Sequence, residues 1–472
     1  MAKQGLERFG QPRFVLRNEL RVLAGRLEHG FEPRLERGLT SKRRLTDKAL
    51  ATWGRGGACL RAAELEDMRF LGFYAAVLVA FSGTDAHGEV TLSVASPAAR
   101  FSPATWSGDS GRGGGTSRTT WNNGVWCEFR WTSPAPGAAT LNIANRTPGS
   151  AVSYFVDGAL FDNVPVPAQG GVPIQGLSQG GRHTLRVYTR NSAQSARWSG
   201  ENAFTVTGLT LADGATGEGA LPIRPWVLVI GDSITEGIQA DNGADSSVSD
   251  YAFLVGQGLD RVGYDCAVSA CGYSGWIRPG DARGDVPAYY AVTGGVYDAD
   301  RSRWNRIDAR TSLLDASGHI SGYGGTGQEP AAIVINYMVN EALSGAPAQA
   351  AQASVTGALT ALRRAAPKAL LLVLVPPGLA NTRVYPGKAA YIDALRAGVA
   401  AYRTGHPSDR NVALVDWGVE VANALASPAY GGGVHPHAAG QAYIAAHLLP
   451  ELLERLESPG ARGFSSKSLP PR

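Results

Sequence analysis

Five continuous runs of apolar residues in the second half of the chain constrain its fold most strongly. The runs are WVLVI (226–230), YDCAVSA (264–270), AAIVINY (331–337), ALLLVLV (369–375) and NVALVDW (411–417). Runs of strand length without polar alternation are typical of parallel strands that helices cover on both faces. Stretches with helical character lie between or after them, at about 250–261, 347–365, 387–403 and 438–455. The pattern predicts a doubly wound α/β domain with a five-stranded parallel sheet over residues 221–457.

Residues 89–215 show a different pattern, in which short alternating stretches are separated by Gly, Pro, Asn and Ser. The stretches are WCEFRW (126–131), ATLNIAN (139–145), VSYFVDG (152–158), HTLRVYTR (183–190) and AFTVTGLTL (203–211). Short strands with regular turn residues are typical of two packed antiparallel sheets. We therefore expect an all-β sandwich or jelly roll ahead of the α/β domain, with no helix of normal length.

Residues 68–88 have the layout of a secretory signal, although they lie inside the chain. A basic residue precedes an apolar run from Phe70 to Phe81, which is too short for a permanent membrane span, and small and polar residues follow. We expect a secreted or periplasmic protein without a stable membrane span. We also expect translation to begin at Met68, so that the basic extension 1–67 is an artefact of start-codon choice. The alternative is a buried core helix in a real extension. The tail 458–472 is expected to be disordered.

The composition excludes global disorder and a nucleic-acid-binding surface. Hydrophobic residues make up 44% and charged residues 18% of the 472 residues, as in ordinary globular proteins. An excess of Lys and Arg in residues 1–67 accounts for the formal net charge of +4, so the remainder has no basic field for nucleic acid. The cysteines, which show no C-x-x-C spacing and predict no zinc site, are Cys59, Cys127, Cys266 and Cys271. We expect Cys266 and Cys271 to be small core residues.

A serine directly follows the first apolar run. The string GDSITEG (231–237) places Ser233 just beyond a strand, where its hydroxyl is exposed at the carboxyl edge of the sheet. The amides of a following helix N-terminus would favour negative charge there. The alternative is a turn in which Asp232 and Ser233 only cap that helix. The whole string resembles block I of the SGNH (GDSL) hydrolases, which implies that Ser233 is a nucleophile and that Asp232 braces the turn.

The resemblance extends to residues near the ends of the second and third runs and near the end of the chain. Gly272 resembles the block II glycine, whose N–H points at the oxyanion, although a tight turn is an equal alternative. Asn340 matches the oxyanion asparagine of the G-x-N-D block, in which Met338 and Glu341 replace the expected glycine and aspartate. A helix cap is the alternative for Asn340. His435 resembles the histidine of D-x-x-H-P, which implies a general base.

Gly432 stands where that block has its supporting aspartate. Such an aspartate holds the imidazole tautomer and stabilises the imidazolium. We expect a main-chain carbonyl of residues 430–433 to take over this role, giving a Ser-His dyad, as in some similar esterases. Asp416, at the end of the fifth run, is a second candidate, and its alternative role is to anchor the loop before Trp417.

The two-part organisation is similar to that of carbohydrate esterases of family two. This resemblance implies a three-layer, flavodoxin-like SGNH domain and a serine esterase that removes acyl groups, expected to be acetyl, from small-molecule or polysaccharide esters. The oxyanion donors would be Ser233, Gly272 and Asn340, and no metal or organic cofactor would be required. Trp276 and Met338 are expected to shape the acyl pocket.

Other functions remain open at this point. The first alternative is a lipase or acyl-thioesterase for longer acyl chains. The second is a carbohydrate-binding protein with a decayed hydrolase domain. Five tryptophans of the leading region would suit sugar stacking, but most are expected to fill its core: Trp106, Trp121, Trp126, Trp131 and Trp198.

Overall fold

The structure, a computed structural model, describes residues 89–457 apart from 109–114, 145–148, 169, 323–327, 382 and 432. All described residues belong to one compact unit, Ala86–Arg472. The expectations for the extension 1–67, the signal-like segment 68–88 and the tail 458–472 lie outside the described residues, as do those for Cys59 and Gly432.

Two antiparallel sheets make up the leading region. Its strands are β1 (Val90–Ser93), β2 (Ala99–Phe101), β3 (Ser107–Gly108), β4 (Arg118–Thr120), β5 (Trp126–Ser133), β6 (Ala139–Ile143), β7 (Ala151–Val156), β8 (Ala159–Pro165), β9 (Val172–Ile174), β10 (Gly181–Asn191), β11 (Phe204–Leu211) and β12 (Thr216–Gly217). One sheet has the order β3-β4-β11-β6-β9, with β1 beside β11. The other has the order β12-β5-β10-β7-β8, with β2 beside β5.

Inward-facing side chains of both sheets meet in one hydrophobic core. Leu141 and Leu209 from the first sheet and Phe129 and Leu185 from the second are fully buried in it. Strands of both sheets therefore contribute side chains to the space between the sheets, which is the arrangement of a β-sandwich. The predicted sandwich is confirmed, while a jelly-roll connectivity stays a prediction.

The tryptophans of the leading region are buried. None exposes more than 7% of its surface, so these side chains do not form an exposed platform for sugars: Trp106, Trp121, Trp126, Trp131 and Trp198. The cysteines Cys127, Cys266 and Cys271 are buried and free, as expected for the last two.

The second region is a three-layer α/β domain with a parallel sheet. Its strands are β13 (Trp226–Gly231), β14 (Asp265–Ala270), β15 (Val292–Thr293), β16 (Val296–Tyr297), β17 (Ala332–Asn336), β18 (Leu370–Leu374) and β19 (Val412–Val415). Its α-helices are α1 (Ser233–Glu236), α2 (Tyr251–Arg261), α3 (Val339–Ser344), α4 (Ala348–Ala365), α5 (Ala389–Gly405), α6 (Gly418–Leu425) and α7 (Ala438–Glu457). Residues Pro428–Tyr430 form a 3₁₀ turn.

The parallel sheet has the order β14-β13-β17-β18-β19, and β15 and β16 form a separate hairpin. The five apolar runs of the sequence are these five strands, which confirms the predicted doubly wound sheet. α2 packs against α7, and α4 packs against α5. The strand order reverses at β13, and ligands of such sheets bind beside the carboxyl ends of the strands at the reversal. In the described residues, no helix has both the length and the apolar character of a membrane span.

A buried ion-pair cluster joins the leading region to the α/β region. Arg197, in the loop after β10, donates to the carboxylates of Glu236 and Asp281, at 2.5 Å each. All three side chains are fully buried. Removing one partner of a buried ion pair leaves an uncompensated charge in a low-dielectric environment. The cluster is therefore a sensitive point of the interface between the two regions.

We expect Arg197→Ala to lower the free energy of unfolding by about 3–5 kcal/mol, because it leaves Glu236 and Asp281 buried without their cation. Denaturant titration followed by circular dichroism measures this loss. The matched control is Arg182→Ala. Arg182 pairs with Glu218, but the Arg182 side chain is largely exposed. This substitution should therefore leave the denaturation midpoint unchanged. Equal midpoints for the two variants would refute the structural role of Arg197.

Candidate active site

Ser233 begins α1 immediately after β13, on a turn that requires glycine at both ends. A Cβ on Gly231 would lie 1.9 Å from the Oγ1 of Thr235, and Gly237 has a φ of +82° and lies against the Ser246 carbonyl. The buried Asp232 caps the helix, because its carboxylate accepts the Ile234 N–H at 3.0 Å. These contacts fix Ser233 at the carboxyl edge of the sheet.

Burial raises the pKa of Asp232 to about 7, and the negative charge of Glu341 adds to this shift. The carboxyl group accepts the Ile234 N–H, and this hydrogen bond acts in the opposite direction. The hydrogen bond to Ile234 places the Asp232 carboxyl as the N-cap of α1, and its expected role of bracing the turn stays a prediction.

His435 brings an imidazole nitrogen to the Ser233 hydroxyl. Its Nε2 lies 2.8 Å from the Ser233 Oγ, although the two residues are 202 positions apart in the chain. A serine hydroxyl that is hydrogen-bonded to a histidine nitrogen can transfer its proton to that nitrogen as it attacks a carbonyl. The two side chains are therefore placed for proton transfer between them.

Burial lowers the pKa of the His435 imidazole below its ordinary value of 6.5. The negative charges of Asp245 and Glu236 oppose this shift without cancelling it. The imidazole is therefore neutral at neutral pH, as a proton acceptor must be.

Neither expected partner of the His435 Nδ1 is found in the described residues. Among the described residues, the hydrogen bond of the His435 ring is the one between its Nε2 and Ser233. Gly432 lies outside the described residues. The Asp416 carboxylate instead accepts from the Arg396 Nε at 3.0 Å and from the Gly418 N–H at 3.1 Å. These contacts support the anchoring role for Asp416.

The amide of Gly272 differs from the expectation. Its N–H donates to the Glu236 Oε2 at 2.7 Å, whereas the family pattern implies that it points at the oxyanion. The physical reason is that the Glu236 carboxylate is buried and needs several donors. These donors are Gly272, Asn123, Gln194 and Arg197.

Asn340 lies in α3, facing the loop that follows β14. One hydrogen of its side-chain amide is donated to the Ser274 carbonyl at 2.8 Å. A second amide hydrogen remains, since each asparagine carries two. Glu341 fastens the same loop, because its Oε1 accepts the Ile277 N–H at 3.0 Å. Sequence reasoning treated Glu341 only as a departure from the family pattern and missed this role.

The expectation that Trp276 and Met338 shape the acyl pocket is wrong. Both side chains are fully buried and line no part of the pocket. Trp276 packs edge-on against Tyr289 and Tyr337, with ring centroids 5.8 and 5.9 Å apart, because the loop directs it into the core. Met338 has a φ of +129°, a backbone conformation that favours the glycine it replaces.

Ser233 and His435 open into a pocket of about 630 Å³. Apolar side chains on its wall are Ile238, Tyr273, Leu343 and Val434. Polar side chains on its wall are Gln194, Gln239, Asp245, Arg278, Asn340 and Ser344. Gln194 comes from the leading region, which sequence reasoning did not connect with the site. In the described residues, no group of three or more His, Cys, Asp or Glu side chains could hold a metal ion.

A family described as GDSL-like lipase/acylhydrolase matches residues 227–448. The α/β region belongs to this family. The match begins within β13 and ends within α7, so it includes Ser233, Asn340 and His435. The chain is therefore an ester-hydrolysing enzyme that contains a GDSL-type domain. A comparison with curated proteins finds no match.

Solved structures similar to this enzyme share its two-region fold. A family two carbohydrate esterase from Cellvibrio japonicus is 17% identical, with a TM-score of 0.57 over 78% of this chain and 98% of the other. An acetyl xylan esterase from Butyrivibrio proteoclasticus is 14% identical, with a TM-score of 0.53 over 78% and 98%. The salicylyl-acyltransferase SsfX3 from a tetracycline biosynthetic pathway is 16% identical, with a TM-score of 0.53 over 79% and 99%. At these identities the likeness is one of fold.

We expect the activity of this enzyme to fall on the acidic side with an apparent pKa below 6.5, because burial favours the neutral His435 imidazole. Asp245→Asn removes a negative charge that favours the imidazolium, so it should move this acidic limb to still lower pH. The pH dependence of kcat/KM measures the shift.

The control for this charge effect is Asp416→Asn, because the Asp416 carboxylate pairs with Arg396 and not with His435. It should leave the pH profile in place and kcat/KM within a few-fold. A loss of ~10⁴ in Asp416→Asn, the size seen when a triad aspartate is neutralised, would instead make Asp416 the partner of His435. An unmoved or upward-shifted limb in Asp245→Asn would contradict the charge argument.

Proposed function

We propose that this enzyme removes acyl groups, with acetyl as the expected group, from carbohydrate esters through a Ser233–His435 dyad. The observation that carries the proposal is the 2.8 Å contact between the Ser233 Oγ and the His435 Nε2 at the carboxyl edge of a GDSL-type sheet. A lowered His435 pKa supports the same assignment, since it keeps the imidazole ready to accept the serine proton.

In the proposed mechanism, the Ser233 Oγ attacks the ester carbonyl carbon while the His435 Nε2 takes the hydroxyl proton. The tetrahedral intermediate collapses as His435 returns this proton to the leaving alcohol, and water then releases the acid from the acyl-serine by the same route. The Ser233 N–H and the second amide hydrogen of Asn340 hold the developing oxyanion. Each such donor lowers the barrier by on the order of 3 kcal/mol.

The substrate class is supported by the chemistry of the pocket wall. Gln239, Asp245 and Arg278 offer hydrogen-bond donors and acceptors to the hydroxyl groups of a sugar. A volume of about 630 Å³ is more than an acetyl group needs, so it accommodates part of the alcohol as well. Two of the similar structures are named as carbohydrate and acetyl xylan esterases, which agrees with this choice.

A second candidate is an esterase for longer or aromatic acyl groups. Ile238, Leu343 and Val434 line the same pocket with apolar surface, which would cover such an acyl group. One similar structure is named as a salicylyl-acyltransferase. The two candidates differ in which part of the substrate occupies the pocket.

We also propose that the protein is exported. The sequence of residues 68–88, with its basic residue and short apolar run, supports this proposal.

Ser233→Ala should abolish ester hydrolysis and leave folding intact, because a single turn hydroxyl contributes little to stability. A fluorophosphonate should label the wild-type protein and not Ser233→Ala, as detected by intact-protein mass spectrometry. Activity of Ser233→Ala near that of the wild type would remove Ser233 from the nucleophile role. Circular dichroism of both proteins serves as the folding control.

A series of p-nitrophenyl esters from acetyl to octanoyl separates the two candidate substrates. We expect kcat/KM to be highest for acetyl and to fall with chain length, and we expect acetate release from acetylated glycans, followed in an enzyme-coupled assay. A kcat/KM that rises towards octanoyl, without acetate release from any glycan, would favour the second candidate.

A further inference from the structure

We propose that Gln194, which the leading β region contributes, is a catalytic residue whose side-chain amide donates to the oxyanion in place of the Gly272 N–H. This inference rests on the proposed function. It assigns chemistry to a residue that lies outside the residues matched to the GDSL family, 227–448.

The loop that carries Gln194 is held against the α/β region at several points. The Gln194 carbonyl accepts the Ala282 N–H at 2.9 Å, and the Ala196 N–H donates to the Asp285 Oδ2 at 2.7 Å. Arg197 is fixed in the same loop by its buried ion pairs. The position of Gln194 is therefore set by the α/β region and not by the leading region alone.

The orientation of the Gln194 amide follows from its contact with Glu236. Its Nε2 lies 2.9 Å from the Glu236 Oε1, and only the NH₂ end of an amide can donate to a carboxylate. This hydrogen bond uses one of the two amide hydrogens, so the second hydrogen remains available. The side chain lines the same pocket as Ser233 and His435.

Gln194 also lies directly against Gly272, whose N–H it replaces as a donor to the oxyanion. Its Oε1 is 2.6 Å from the position that a Cβ on Gly272 would occupy, so the amide covers the pocket wall beside this residue. A side chain at position 272 would displace it. The Gln194 amide can therefore approach this closely only because Gly272 has no Cβ.

The Gly272 N–H does not serve as a donor to the oxyanion because it is hydrogen-bonded to Glu236. The two oxygens of its carboxylate accept from Gly272 at 2.7 Å and from Gln194 at 2.9 Å, so one group both engages the glycine N–H and holds the glutamine. A free carboxylate here would repel an oxyanion. Arg197 compensates the charge of Glu236 through their buried ion pair.

The test compares kcat and KM of Gln194→Met with those of the wild type on p-nitrophenyl acetate. Methionine keeps the length of the side chain and removes both amide hydrogens. We expect kcat to fall about 10²-fold or more with KM nearly unchanged, as for the loss of an oxyanion donor. Gln194→Asn keeps the amide but shortens the side chain, so it should also lower kcat.

A matched control is Gln257→Met. Gln257 also reaches across the two regions, since its Nε2 donates to the Tyr188 hydroxyl at 3.4 Å, but it does not line the pocket. Its kcat should equal that of the wild type. Thermal unfolding of each variant shows whether a loss of activity reflects a loss of structure, and Gln194→Asn supplies the readout if Gln194→Met does not fold.

A wild-type kcat in Gln194→Met would overturn the inference. A rise in KM without a fall in kcat would also overturn it, because it would place Gln194 on a part of the substrate that does not react. These failures are distinct from failure of the proposed function. In the latter case the wild-type protein itself would neither hydrolyse p-nitrophenyl acetate nor react with a fluorophosphonate.

Discussion

The buried ion pair between Arg197 and Glu236 is the interaction on which the site depends. Glu236 is the last residue of the one-turn helix that begins with Ser233, and Arg197 belongs to the other region of the protein. The same carboxylate accepts hydrogen bonds from Gly272 and Gln194. The nucleophile turn, the loop after β14 and the leading β region therefore meet at a single buried charge, which is stable only while its cation is present.

Further contacts along β14 extend this junction. Arg100 of the leading region donates to Asp265 at 3.0 Å, and the Trp126 indole N–H donates to the Cys266 carbonyl at 2.9 Å. The Trp121 indole N–H reaches the Ile307 carbonyl. The contacts of Arg100 and Trp126 hold the leading region against β14, the edge strand of the parallel sheet. At the other end of β14, the Gly272 N–H is held by Glu236, the partner of Arg197, so the two regions are joined at both ends of this strand.

Much of the fold could be predicted from the sequence, because it depends on local patterns. Continuous apolar runs mark strands that are covered on both faces, and the string around Ser233 has a backbone shape that only its glycines allow. The pocket wall could not be predicted in the same way. The direction of the Gly272 N–H depends on a carboxylate 36 residues away, and Gln194 lies in a different region of the fold. Trp276 faces inward because Tyr289 and Tyr337 pack around it.

The shared burial of Arg197 and Glu236 also limits how this architecture can change in evolution. A catalytic region separated from its sandwich would lose the guanidinium of Arg197 and the amide of Gln194, both of which hold a carboxylate three residues from the nucleophile. Exchange of the sandwich for an unrelated accessory domain would have the same effect, unless the incoming domain supplied an equivalent arginine. The two regions are therefore not interchangeable modules joined by a linker. A recombination event that transferred only one half would leave the nucleophile turn without these partner side chains.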